Sequence, residues 1–229
     1  MKKTTFVALL LLTSTCLANG LKSTLQDIES EWAITYYSTP KQHKQAKYSA
    51  LIQKTNAVMT QHPDRAEPLI LLAIVTASNA ETQDAISAIS AIHKAKDLLL
   101  KAIDINPNAM EGCALVTLGT LYYMTPEWPI GFGDNAKAQE LLTKALKINP
   151  NGVDSNYYYG NFLLSQNKYT EAANYLNKSI AVPSRVEQVY ADNQLKEEAK
   201  AALNDISEHN QSNTSGLFAS ILNSQNSKQ

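Results

Sequence analysis

The chain has 229 residues with 20 basic and 21 acidic side chains, a formal net charge of −1 at pH 7. A balance this close to neutral argues against nucleic acid or an anionic membrane surface as the main partner, because both attract strongly basic proteins. Of the two cysteines, Cys16 lies in a segment that we expect to be removed, so Cys113 has no partner for an internal disulfide.

Residues 1–20 have the organisation of a secretory signal peptide. Lys2 and Lys3 supply a positive start, residues 6–12 form a short apolar run, and small residues follow it. The apolar run is shorter than the ~20 residues that a helix needs to span a bilayer. We therefore predict an exported protein without a membrane span, located in the periplasm.

The end of the signal segment leaves two questions open. Cleavage after Ala18 and cleavage after Gly20 both fit the small residues there. Lipid attachment at Cys16 is an alternative to ordinary cleavage, although residues 13–15 lack the leucine and the small residue that usually precede a lipidated cysteine.

Residues 21–63 are predicted to form an atypical helical pair at the start of the folded region. Ser23 followed by Gln26 fits a capping box at the beginning of the first helix. Pro40 fits the first turn of the second helix, where a missing amide hydrogen is tolerated.

A proline turn recurs four times along the rest of the chain. Each turn has Asp, Asn or Ser after the proline, as a predicted helix cap, and an acidic residue three positions later. The prolines are 44, 43 and 33 residues apart, at Pro63, Pro107, Pro150 and Pro183. Four occurrences indicate an internal repeat built from helical pairs.

The clearest copy of the repeat is residues 136–180. Tyr159 and Leu163 share one helix face, and a polar turn at residues 165–168 precedes a second helix. Gly160 lies in the middle of the first helix, where glycine costs roughly 1 kcal/mol relative to alanine. It is either a tolerated glycine or a close helix crossing without room for a Cβ. The small residues of the second helix favour the crossing; they are Ala172 and Ser179.

This arrangement resembles the tetratricopeptide repeat family, and Gly119 in the preceding unit repeats the position of Gly160. Tyr159 and Ser179 depart from the family pattern, which favours leucine and alanine at these positions. The resemblance covers about residues 64–202. It implies an all-α fold, namely a right-handed solenoid of three to four helical pairs with a C-terminal capping helix.

Residues 64–207 thus form the predicted repeat region, with a terminal helix at residues 184–206 whose outer face is polar. Residues 208–229 are rich in Asn, Ser and Gln, and we predict a flexible polar tail there.

Two insertions lengthen the repeats between the two helices of a pair, at about residues 79–89 and 124–135. The second insertion contains two prolines and two glycines, which exclude a continuous helix. Its large apolar residues are Trp128, Ile130 and Phe132. We interpret this loop either as a plug for its own helical pair or as the wall of a ligand site.

The sequence contains no motif for a catalytic nucleophile, a nucleotide or a metal ion. Its four histidines lie on separate predicted elements, at His43, His62, His93 and His209. Because function has to be argued from a site, we predict a protein that is not an enzyme and binds no cofactor or metal.

The resemblance implies that the first helix of each pair lines a concave surface that binds a protein or peptide. The corresponding residues here are Ile70, Ile74, Val116, Thr120, Tyr123, Tyr157, Asn161 and Leu164. The leading hypothesis is therefore a periplasmic protein–protein interaction module. The alternative is a looser resemblance to the tetratricopeptide-type T component of TRAP transporters, with Trp128, Ile130 and Phe132 enclosing a small apolar ligand.

Overall fold

The structure, a computed structural model, describes the backbone of residues 5–226 and the side chains of residues 20–208. Within this range it contains nine α-helices, three short 3-10 turns and no β-strand, which confirms the predicted all-α class. The helices are α1 (Thr5–Ser38), α2 (Lys41–Gln61), α3 (Ala66–Asn79), α4 (Ala85–Ile105), α5 (Cys113–Met124), α6 (Asn135–Ile148), α7 (Val153–Ser165), α8 (Tyr169–Ala181) and α9 (Val189–Asn226).

The helices are arranged in sequential pairs: α1 with α2, α3 with α4, α5 with α6, and α7 with α8. The first helices of successive pairs also contact one another, and α9 lies against both α7 and α8, as the first helix of a further pair would. The described part of the chain is thus a tetratricopeptide-like stack of four pairs followed by a final helix.

The first and last helices extend beyond their predicted limits. Helix α1 passes through Ser23 without a break, so the predicted capping box was wrong, because the preceding residues already form helix. Helix α9 follows a 3-10 turn at Val186–Gln188, and its backbone continues to Asn226. The side chains of the predicted signal segment, with Cys16, and of nearly all of the predicted polar tail lie outside the described residues. Among the described residues, no helix has the length and the apolar character that crossing a membrane requires.

The proline turns separate the pairs, but they do not cap helices as predicted. Helices α3, α5 and α7 start without a side-chain cap, because each begins downstream of the expected Asp or Asn. Before α5, three consecutive residues have left-handed φ angles of 49°, 57° and 84°: Met110, Glu111 and Gly112. Side-chain caps occur instead after the two insertions, where Asp84 and Asp134 accept hydrogen bonds from backbone amides of α4 and α6.

Glycine allows the two helices of a pair to cross closely. A Cβ on Gly160 would lie 2.9 Å from Cγ and Cδ2 of Leu176 on α8. A Cβ on Gly119 would lie 2.7 Å from Cγ of Leu142 on α6. The interpretation of Gly160 as a close crossing is therefore confirmed, and the side chain that occupies the space is a leucine.

Helix α1 also reaches the other end of the chain, where it contacts α9 and the 3-10 turn before it. Nε2 of Gln188 donates to Oε1 of Glu29 at 2.9 Å. The rings of Tyr37 and Tyr190 meet edge to face with centroids 6.2 Å apart, and the Ser38 and Tyr190 hydroxyls form a hydrogen bond. These contacts join the first and last described helices.

The turn before α9 is held by a buried ion pair. The Asp192 side chain is 0% exposed and accepts from Arg185 through Nη2 at 2.6 Å, Nε at 3.1 Å and the backbone amide at 2.7 Å. Nη1 of Arg185 also lies 3.4 Å from Oδ2 of Asp154 on α7. The arginine thus connects the turn, α7 and α9.

We expect Gly160→Ala to lower the free energy of unfolding by about 1 kcal/mol, because overpacking outweighs the ~1 kcal/mol gained in helix propensity. Urea denaturation of Gly160→Ala, Leu176→Ala and the double variant measures this. The double variant should lose less than the sum of the single variants, because the smaller side chain makes room for the Cβ. A stabilised Gly160→Ala protein would show that the crossing is not tight.

We expect Glu29→Gln to raise the free energy of unfolding at pH 7. Burial raises the pKa of Glu29, with Asp154 and Glu187 adding to the effect, while the Gln188 hydrogen bond and Arg185 oppose it. A carboxyl group with a raised pKa destabilises the fold as pH rises through that pKa and the group becomes charged. The difference in the free energy of unfolding between Glu29→Gln and the unchanged protein should therefore vanish toward about pH 4, where the glutamate is protonated. Thermal unfolding between pH 4 and 8 tests this, with the exposed Asp27→Asn on the same helix as the control. A less stable Glu29→Gln at pH 7 would mean that the attraction of Arg185 dominates.

Candidate functional site

The structure divides the eight predicted partner-binding residues into two groups. Four are buried: Ile70, Val116, Thr120 and Tyr157. The other four remain partly exposed: Ile74, Tyr123, Asn161 and Leu164. The spacing of all eight residues along their helices indicates that they share one face. Whether each side chain is buried depends on the neighbouring helices that cover it.

Two of the partly exposed residues line one cleft of about 430 Å³, which we call the α7–α9 cleft. Its lining residues come from α7, the start of α8 and α9: Asn161, Leu164, Tyr169, Ala202, Asp205 and Ile206. Apolar surface from Leu164, Ala202 and Ile206 is combined with an amide, a phenol and a carboxylate. Such a combination suits a peptide, which presents both apolar side chains and backbone hydrogen-bonding groups.

Tyr157 joins the two walls of this region. Its hydroxyl donates to Oε2 of Glu198 on α9 at 2.6 Å. Burial and then this hydrogen bond raise the pKa of Tyr157 well above its usual value, so the phenol stays neutral and remains a donor. In this structure Tyr157 therefore holds α7 against α9, and its side chain is not available as an anchor for a partner.

Tyrosine rings from three helices gather near the same place. Tyr157 contacts Tyr158 edge to face at 5.0 Å, and Tyr36 contacts Tyr37 in the same way at 4.8 Å. Burial raises the pKa of Tyr37, Tyr123 and Tyr158 well above the usual value for a phenol. All of these phenols are consequently neutral at physiological pH and can donate hydrogen bonds.

Cys113 does not have the features of a nucleophile. Its Sγ lies 3.9 Å from the Thr117 hydroxyl, and burial raises the pKa of its thiol to about 12. The reactive form of cysteine is the thiolate, which is scarce at neutral pH when the pKa is this high.

The loop between α5 and α6 combines an inserted ring with an exposed tip. Phe132 packs against Tyr122 and His93, with centroids 5.2 and 5.1 Å apart, and the Lys96 ammonium lies 4.5 Å from its centroid. By contrast, Trp128 is 86% and Ile130 67% exposed. Phe132 thus packs inward as the predicted plug, whereas Trp128 and Ile130 face solvent and do not enclose a cavity in the described structure.

Three residues of the α7–α9 cleft belong to α9 and were missed by the sequence analysis: Ala202, Asp205 and Ile206. The sequence predicts this helix as a cap with one apolar and one polar face, and that prediction assigns no binding role to the apolar face. The apolar spacing of Leu195, Ala199 and Ala202 was the available signal, because it marks the side of α9 that faces α7 and α8.

A protein-family model supports the repeat over part of the chain. The family model "Tetratricopeptide repeat" matches residues 130–182, which span α6, α7 and α8. The crystal structure of yeast Tom70 is similar with a TM-score of 0.44 and 19% sequence identity, over 69% of this chain and 31% of that chain. This chain therefore spans about a third of that protein's length. No curated protein matches the sequence.

We expect Trp128→Ala to change the free energy of unfolding by less than about 0.5 kcal/mol, as is usual for an exposed side chain. Phe132→Ala should lower it by about 2 kcal/mol, because it removes the ring between Tyr122 and His93. Thermal unfolding of both variants and of the unchanged protein measures these two differences in stability. A large loss for Trp128→Ala would show that the tip of the loop is covered in solution.

Proposed function

We propose that the protein is an exported, non-catalytic interaction module that binds a segment of a partner protein in the α7–α9 cleft. The observation that carries this proposal is the position of Asn161 and Leu164. The tetratricopeptide resemblance nominates both residues for partner binding, and both line the cleft. Repeats of this type usually use the first helices of their pairs for binding, and α7 and α9 hold these positions.

The cleft is favoured over the rest of the predicted concave surface because four of the predicted residues are buried. Ile70 and Val116 lie in the hydrophobic core, with exposures of 0% and 3%. Neither can touch a partner while the helices around it stay in place. The α7–α9 cleft is open in the same structure, so binding there requires no rearrangement of the fold.

Export to the periplasm is part of the same proposal. It is supported by the positive start, the short apolar run and the small residues of the segment 1–20. Lipid attachment at Cys16 would place the same module at a membrane surface without altering the cleft.

The alternative of a transport accessory that binds a small apolar ligand gains no supporting observation. It requires Trp128, Ile130 and Phe132 to form the wall of one site. Phe132 is inserted between Tyr122 and His93, while Trp128 and Ile130 are largely exposed. We therefore keep the protein-binding proposal alone.

Photo-crosslinking in the producing cell tests this function. We expect a photoreactive phenylalanine analogue in place of Asn161 to yield a discrete crosslinked polypeptide, because this side chain lines the cleft. The control places the analogue at Gln139, which is exposed on α6. Leu164→Ala should reduce the crosslink at Asn161, because it removes apolar contact surface from the cleft. Equal crosslinking from Gln139, or none from Asn161, would contradict the proposal.

A further inference from the structure

We infer that the α7–α9 cleft selects partner segments with a basic side chain, whose ammonium or guanidinium group binds Glu198 beside the tyrosine rings of α1 and α7. This inference rests on the proposed function and specifies the chemistry of its partner. It assigns a role to Glu198, to Asp205 and to the tyrosines around them.

Glu198 lies one helical turn away from the residues that line the cleft. Tyr157 precedes Asn161 by one turn of α7, and Glu198 precedes Ala202 by one turn of α9, so each pair lies on one helix face. Asn161 and Ala202 line the cleft, and the Tyr157 hydroxyl bonds Glu198. A segment bound in the cleft therefore reaches Glu198 within one helical turn.

The charges of this surface favour a cation. Glu198 is exposed, and among the described residues no basic side chain forms an ion pair with it. Asp205 lines the cleft seven residues later, two turns along the same face of α9. Both carboxylates are thus available to a positively charged partner, and they offer electrostatic complementarity along one line.

Tyrosines lie near the Glu198 carboxylate. The Tyr157 hydroxyl donates to it at 2.6 Å. After burial, which is the largest cause, the negative charge of Glu198 raises the pKa of both Tyr36 and Tyr37 on α1. A cation bound to Glu198 is attracted first by the carboxylate, and it gains further attraction where it lies over the face of a tyrosine ring.

Elsewhere in the protein, a carboxylate bonded to a tyrosine hydroxyl also binds a lysine ammonium. Glu81 accepts a hydrogen bond from the Tyr48 hydroxyl at 2.8 Å and binds the Lys44 ammonium at 3.0 Å. The same ammonium lies 5.3 Å from the centroid of the Tyr36 ring. Glu198 accepts from the Tyr157 hydroxyl at 2.6 Å in the same way, but no ammonium of the described residues forms an ion pair with it. The comparison indicates a lysine or arginine of the partner in that position.

The two carboxylates also suggest a spacing. Seven residues of helix separate Glu198 from Asp205, which corresponds to a rise of about 10 Å at ~1.5 Å per residue. An extended chain covers this distance in about three residues at ~3.3 Å each. A partner segment with basic residues three positions apart could therefore bind both.

The test uses fluorescently labelled decalysine, which presents basic residues at every spacing. Its binding to the full chain is measured by fluorescence anisotropy at fixed salt.

Glu198→Gln removes the charge but keeps an oxygen that can accept from Tyr157. We expect it to weaken binding about tenfold, since it removes both a charge pair and the anchor for a cation–π contact. Asp205→Asn should also weaken binding, because its carboxylate lines the cleft. The matched control is Glu197→Gln, an exposed neighbour that pairs with Lys200 on the same helix, and it should change binding less than about twofold, as a rim charge does.

Several outcomes would overturn the inference. Equal losses for Glu197→Gln and Glu198→Gln would show general attraction to an acidic surface, and no binding of decalysine would exclude a basic segment. Displacement of decalysine by tetramethylammonium at a comparable concentration would indicate a site for a small quaternary ammonium ion instead of a peptide. If decalysine fails while the Asn161 crosslink persists, the proposed function stands without this selectivity; if both fail, the function is wrong as well.

Discussion

The position of α9 depends on one buried charge. Asp192 has no exposed side-chain surface, and a carboxylate in such a place is strongly destabilising unless it is paired and hydrogen-bonded. Arg185 provides three donors to it and also approaches Asp154. Because the arginine lies before the 3-10 turn and the aspartate inside α9, their pairing sets where α9 begins and how it meets α7. The cleft exists only where these two helices meet.

The same turn brings the two ends of the described chain together. Gln188 lies in it and donates to Glu29 of α1, while Tyr190 follows it and contacts Tyr37 and Ser38. A stack of helical pairs normally has contacts only between neighbouring units. Here the first helix also touches the last, so the tyrosines of α1 become part of the surroundings of Glu198. The proposed binding at the cleft would for this reason be physically connected to the docking of α1.

The candidate site could be predicted only in part. Asn161 and Leu164 follow from the periodicity of a single helix, which the sequence displays directly. Tyr157 was assigned to the same surface by the same reasoning, yet it is covered because Glu198 of α9 accepts its hydroxyl. Glu198 and Asp205 carry no local signal of function, since exposed acidic residues on a helix are common. The role proposed for them rests on the Tyr157 hydroxyl that bonds Glu198 and on the cleft that Asp205 lines.

The sequence by itself indicated the paired helices of the repeat and favoured a close crossing at Gly160. Helix periodicity, polar turns and glycine placement act over a few residues, so they can be recognised without knowing the rest of the chain. Tertiary structure alone decided which concave residues are buried, which remain open in the cleft, and that α1 meets α9. The meeting of α1 with α9 depends on contacts between residues far apart in the chain, such as Glu29 with Gln188, and the cleft depends on the contact of α7 with α9, such as Tyr157 with Glu198. Their free energy comes from burial and pairing that exist only after the helices have assembled.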